Sequence, residues 1–252
     1  MVRPLETGGA DSGGDQARGA AGLRLRREPR RDRVVAGNRH GTCAAARRQW
    51  TRRVATTPAG VVRVIKLYEA AQEVESCFRR HGWKFALIGG LAVIRWGRPR
   101  ATQDIDFSLF VEFGDEGSLV AELLNEFDAR IDDPHSFATT NRVLLIRASN
   151  GVEVDVGLAG FPFELEMLER STPFEFRAGV LLTTVSAEDL MVLKAFAGRP
   201  IDWFDVEGIA VRQERVLDWD SVIERIRSLE ELIGESIASP QLEAIREKSR
   251  KT

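Results

Sequence analysis

Asp104 and Asp106, two residues apart in Arg100-Ala-Thr102-Gln-Asp104-Ile-Asp106, have the clearest chemical potential in the chain. On a β-strand, side chains two apart leave the same face roughly 6.5 Å from one another. Two carboxylates so placed can reach around one divalent cation or bridge two. A pair of such ions about 3.5–4 Å apart can hold an attacking oxygen, a phosphate and its leaving group in line. Mg2+ (or Mn2+) suits this because it accepts few protein carboxylates and keeps positions for water and phosphate oxygens.

Spacing alone decides little. With 38 acidic residues in 252, about five or six acidic pairs at this spacing arise by chance. Asp218-Trp-Asp220 is one of them and reads as a helix N-cap region at the surface. A third carboxylate is needed to complete a metal site or to take the nucleophile's proton, and Asp155 is the candidate. Val152, Val154 and Val156 alternate with Glu153, Asp155 and Gly157, so Asp155 shares a polar face with Glu153. A solvent-facing polar stripe is the other reading of that strand.

Gly89 and Gly90 follow the apolar run 83–88. A glycine pair there lets backbone N–H groups approach phosphates, with the next helix's N-terminus facing the anion; by itself it is only a turn. Lys194 follows the capping-box pattern Ser186-Ala-Glu-Asp189, among Leu190, Val192, Leu193 and Phe196. It reads as a solvated helix lysine or as a point charge for a nucleotide phosphate. For Arg199, Asp202 and Asp205, a structural salt bridge from Arg199 to one of the acids is the simpler expectation.

The elements that must position these residues alternate between helix and strand. Val64, Leu67, Tyr68, Ala71, Val74 and Phe78 predict a helix over 61–80. Strands are expected at 83–88, 104–111, 142–148, 152–157 and 181–185, with Ser149-Asn150-Gly151 closing a hairpin between the third and fourth. Helices are expected at 91–96, 116–127, 187–197, 201–213 and 218–233. The fold class is α/β (α+β): a mixed sheet flanked by helices over 61–185, then a helical region over 186–252.

Residues 1–60 hold 13 Arg and 5 acidic residues, a net of +8, which leaves 23 basic and 33 acidic residues and a net of −10 beyond them. The first part lacks aliphatic periodicity and reads as disordered. It is either a basic arm for RNA or the product of a start codon set too far upstream, since no Met lies between Met1 and Met167. The acidic remainder offers no broad basic surface for nucleic acid, although Arg95, Arg98 and Arg100 could form a local patch. Cys43, Cys77 and three histidines show no zinc-ligand spacing, so any metal is expected to be a hard cation held by oxygens. No apolar run suits a membrane span or secretory signal, and a cytoplasmic setting is expected.

Taken in order, Gly89-Gly90, Arg100-x-Thr102-x-Asp104-Ile-Asp106, Val154-Asp155-Val156 and Lys194…Arg199-x-x-Asp202-x-x-Asp205 resemble the motifs of AbiEii-like nucleotidyltransferases. These are toxins of type IV toxin–antitoxin systems within the DNA polymerase β-like superfamily. The resemblance spans about residues 65–230. It implies transfer of a nucleotidyl group from an NTP with Mg2+, to RNA and in some members to the tRNA acceptor end, with a separately encoded antitoxin as partner. It implies metal ligation by Asp104, Asp106 and Asp155, and nucleotide contacts by Gly89, Gly90, Arg100, Thr102, Lys194 and Asp205. Many superfamily members have Gly-Ser where this chain has Gly89-Gly90. The competing readings are transfer to a small molecule or protein hydroxyl, and a non-catalytic binding module that keeps the fold.

Overall fold

A computed structural model of the chain describes residues 58–236 and 238–250. The arm expected over 1–60 lies outside the described residues, apart from 58–60. In chain order the elements are α1 (Pro58–Arg80), β1 (Phe85–Leu87), α2 (Gly89–Trp96), β2 (Ile105–Phe110), α3 (Glu116–Glu126), β3 (Asp128–Ala129), α4 (Pro134–Asn141) and β4 (Val143–Arg147). Then follow β5 (Glu153–Ala159), α5 (Pro162–Glu169), β6 (Thr172–Arg177), β7 (Val180–Thr184), α6 (Ala187–Ala197), α7 (Pro200–Arg212), α8 (Trp219–Ile233) and α9 (Ser239–Ser249).

The strands form one mixed sheet in the order β3-β4-β5-β2-β1-β7-β6. Central β2 runs antiparallel to β1 and parallel to β5. Both faces are covered, as the apolar character of β1 and β2 requires. Ile105, Phe107 and Leu109 of β2, with Val154, Val156 and Leu158 of β5, pack with α1 and α3 in one core. Ala86 of β1 faces the other way, into a core built with α2 and the C-terminal helices through Val93, Leu190, Met191, Val206, Ile209 and Trp219. Strand alternation therefore turns Asp106 and Asp155 toward this second face.

The expected helices and strands are present, most with ends moved by one to three residues. Asp104 falls just ahead of β2 instead of within it. Asp218 does cap α8, accepting the Ser221 amide at 3.0 Å, and exposed Asp220 pairs with Arg246. The capping box is half made: Ser186 Oγ accepts the Asp189 amide at 3.0 Å, while the Asp189 carboxylate serves Arg170 and Arg225. The sequence pattern gives no expectation for α4, α5 or α9. The start of α9 depends on a distant partner: Glu230 of α8 accepts the Ala238 and Ser239 amides at 2.6 and 2.9 Å. Among the described residues, no helix is long and apolar enough to cross a membrane.

Candidate active site

Parallel pairing of β2 with β5 sets Asp106 directly opposite Asp155. Asp104 is exposed at the mouth of β2, where its Oδ1 accepts the Thr102 hydroxyl at 3.0 Å. Burial, then the charges of Asp104 and Asp155, push the Asp106 carboxyl up to about 6, while the Gly90 amide and Lys194 only partly oppose this. Burial also raises the Asp155 carboxyl, with Arg130 opposing and Asp104 adding to the rise. Arg130 Nη1 lies 2.8 Å from Asp155 Oδ1, yet that oxygen is buried and has no aligned hydrogen bond. Three crowded carboxylates, only one of them countered by a direct ion pair to Arg130, form a hard, electron-rich donor set, and the residues fit a divalent cation. They are a looser set than Cys77, His81 and Glu126, whose ligand atoms all lie within 4.8 Å of one another.

Gly89 and Gly90 form the first turn of α2 instead of a separate loop; Ile88 is the N-cap and supplies no side-chain cap. Gly89 has φ +58°, and a Cβ there would fall 1.8 Å from Asp106 Oδ2. At Gly90 it would fall 2.4 Å from Thr102 Oγ1. Two missing side chains thus let Asp106 and Thr102 reach the end of a helix whose free N–H groups and dipole favour negative charge.

Lys194 is only 6% exposed, which excludes the solvated-lysine reading. Its Nζ sits 2.9 Å from Asp202 Oδ1 and 3.1 Å from Asp205 Oδ2. Arg100 grips Asp205 through two hydrogen bonds of 2.8 and 2.9 Å. The expected Arg199 salt bridge forms with Asp202, at 2.5 Å. Burial works to raise the Asp202 carboxyl, but Arg199 and Lys194 outweigh it and hold it below its ordinary range. Two buried aspartates joined to three cations form a strut that ties the segment between α2 and β2 to α6 and α7, and stripping one partner would leave a buried charge.

A cleft of about 710 Å³ opens beside Asp104, lined by Arg63, Lys66, Arg100, Thr102 and Glu153 among others. The basic patch expected from Arg95, Arg98 and Arg100 is mostly committed inside the fold. Arg95 donates to Thr172 O and Thr184 Oγ1 and lies 3.9 Å over the Trp96 ring. Arg100 is held by Asp205, and only Arg98 is exposed. Positive charge at the cleft comes instead from Arg63 and Lys66 of α1. Sequence reasoning missed Arg130. Nothing local marks it; its amide bonds to Leu145 O, and Leu145 pairs with Asp155, so two strand registers had to be known to place it.

Among solved structures, the chain is similar to the antibiotic-resistance factor ANT(2'')-Ia in its solution structure, at 16% identity over 68% of this chain and 94% of that one, with a TM-score of 0.45. An antigenic nucleotidyltransferase-like protein from Paracoccidioides brasiliensis shares 16% identity over 73% and 91% of the respective chains, with a TM-score of 0.42. The lincosamide antibiotic adenylyltransferase LnuA shares 10% over 56% and 94%, at 0.40. No curated protein matches the chain. A family model does match, over residues 67–240, a span that includes every residue named above for the aspartate site and its strut except Arg63 and Lys66 of the cleft. The chain belongs to this family, the nucleotidyl transferases of unknown function (DUF2204).

Proposed function

We propose that the chain transfers a nucleoside monophosphate from an NTP to a hydroxyl of RNA, as a toxin-like partner of an antitoxin, with Asp104, Asp106 and Asp155 holding Mg2+ (or Mn2+). The observation that carries the reading is the in-register pair Asp106 and Asp155 beside Asp104, with the Asp106 carboxyl raised to about 6 by burial and its acidic neighbours. A bound Mg2+ supplies charge neutralisation to the triphosphate and to the attacking oxygen. The acceptor oxygen bonds to the α-phosphorus, the bond to the bridging oxygen breaks, and pyrophosphate leaves. Asp155 Oδ1, ion-paired with Arg130 in the metal-free chain, ligates the ion or receives the acceptor's proton once Arg130 gives way. The first turn of α2 attracts the phosphates, and the Lys194–Asp202–Asp205–Arg100 strut holds the segment leading to Asp104 against α6 and α7. In this reading 61–185 is the catalytic part and the helices from 186 onward support it, in a cytoplasmic setting.

RNA as acceptor draws support from Arg63 and Lys66 at the cleft and from the motif order shared with the AbiEii-like toxins. A second reading, transfer to a small-molecule or protein hydroxyl, draws on the commitment of Arg95 and Arg100 to internal partners. Incubation of the purified chain with each labelled NTP, Mg2+ and total RNA separates them. Labelled RNA that disappears with Asp104→Ala supports the first. Label confined to protein or metabolite fractions supports the second. No label in any fraction with any NTP rejects both.

A further inference from the structure

We infer that Cys77, His81 and Glu126, backed by Glu122, form a binding site for a divalent transition ion such as Zn2+, separate from the aspartates. Cys77 lies in the last turn of α1 and His81 just past its end, its amide bonded to Cys77 O, while Glu122 and Glu126 stand at i, i+4 on α3, so the two segments face each other with two donors apiece. The ligand atoms of Cys77, His81 and Glu126 all lie within 4.8 Å of one another. His81 Nε2 is 3.1 Å from Glu126 Oε1, while its Nδ1 is 3.1 Å from Glu122 Oε2. A ligating histidine commonly donates its second ring N–H to a carboxylate, which fixes tautomer and ring plane. Glu122 supplies that carboxylate. Trp83 fixes the plane further, stacked 4.2 Å from the imidazole at 17°.

Thiolate, imidazole and one carboxylate are a Zn2+ donor set, with a fourth position for water. Thiolate and carboxylate together balance the ion's two charges. In the free protein the thiol is protonated: burial and then Glu126 push it up to about 12. Coordination replaces that S–H bond with a bond from Sγ to the metal, and the proton leaves to solvent. The hydrogen bond with His81 outweighs a small desolvation, Cys77 and Arg80 add to it, and Glu126 stays below the ordinary carboxylate range and so ionised. Arg80, which also pairs with Glu126, has an exposed side chain and can release it. The site lies before the start of β1, whereas Gly89 follows its end, so an ion here would tie α1 to α3 without touching the aspartates.

The test uses the full chain, freed of metal with a chelator and titrated with Co2+ as spectroscopic probe and Zn2+ as competitor. Expected are a thiolate-to-cobalt charge-transfer band corresponding to one Co2+, distinct from any Co2+ taken by the aspartates, its loss on adding Zn2+, and a Zn2+-dependent rise in melting temperature. The band should vanish in His81→Gln and Glu126→Gln, both partly exposed and tolerant of change, and in Cys77→Ser. It should persist in Cys43→Ser and in Asp104→Asn. Glu122→Gln should weaken binding about 10–100-fold, as loss of an outer carboxylate does. A folded protein with no charge-transfer band, or a band that survives His81→Gln or disappears with Cys43→Ser, overturns the assignment.

Discussion

The charge crowding at Asp106 makes a sharp prediction: Asp106→Asn should stabilise the metal-free protein while abolishing nucleotidyl transfer. Burial and the neighbouring acids push the carboxyl from its ordinary 3.8 up to about 6, a penalty on its ionised form of about 3 kcal/mol. The sign follows from proton uptake. Below about pH 4 the folded and unfolded chains both carry the proton, and the penalty is absent. Between about pH 4 and 6 the unfolded chain ionises first, so wild-type stability falls as pH rises, and above 6 the loss is complete. Asparagine is neutral throughout and escapes it. At pH 7.5 without metal the variant should melt about 6–12 °C higher, taking about 2–4 °C per kcal/mol for a chain of this size. The gap should close toward pH 4. Mg2+ should then stabilise the wild type and leave the variant unchanged. Chelated samples melted from pH 3.5 to 8 provide the assay. A variant less stable than wild type at pH 7.5, or a gap independent of pH, would refute the reasoning.

Other perturbations test the neighbouring geometry. Gly89→Ala should cost about 1–2 kcal/mol from its left-handed backbone alone and, because its Cβ would enter the Asp106 carboxylate, lower kcat; denaturant melts and single-turnover labelling measure the two. Asp205→Ala strips a buried carboxylate from Arg100 and Lys194 and should destabilise the fold by about 3–5 kcal/mol, read from the urea midpoint. Arg130→Gln removes a cation that stands against Asp155, so half-maximal labelling should need less Mg2+. A higher Mg2+ requirement would show that Arg130 orients the acid instead of competing for it.

Much of the candidate site is legible in the chain itself. The D-x-D pair, the glycine pair and Asp155 stand in an order that local periodicity can place on strand, turn and helix. The Asp218 control shows why spacing needed this company: the same pattern there caps a helix. Other features depended on contacts distant in sequence. Lys194 could equally have been solvated, because its two aspartates follow on the next helix and only packing of α6 against α7 buries all three. Arg130 reaches Asp155 only through the β3–β4–β5 registers, and Glu126 reaches His81 from 45 positions away. The sequence by itself determined which chemical groups were present and which strand faces Asp106 and Asp155 occupied, because periodicity is a local property. Tertiary structure alone decided which charges neutralise one another, because electrostatic pairing and burial depend on distances between segments that no local spacing encodes.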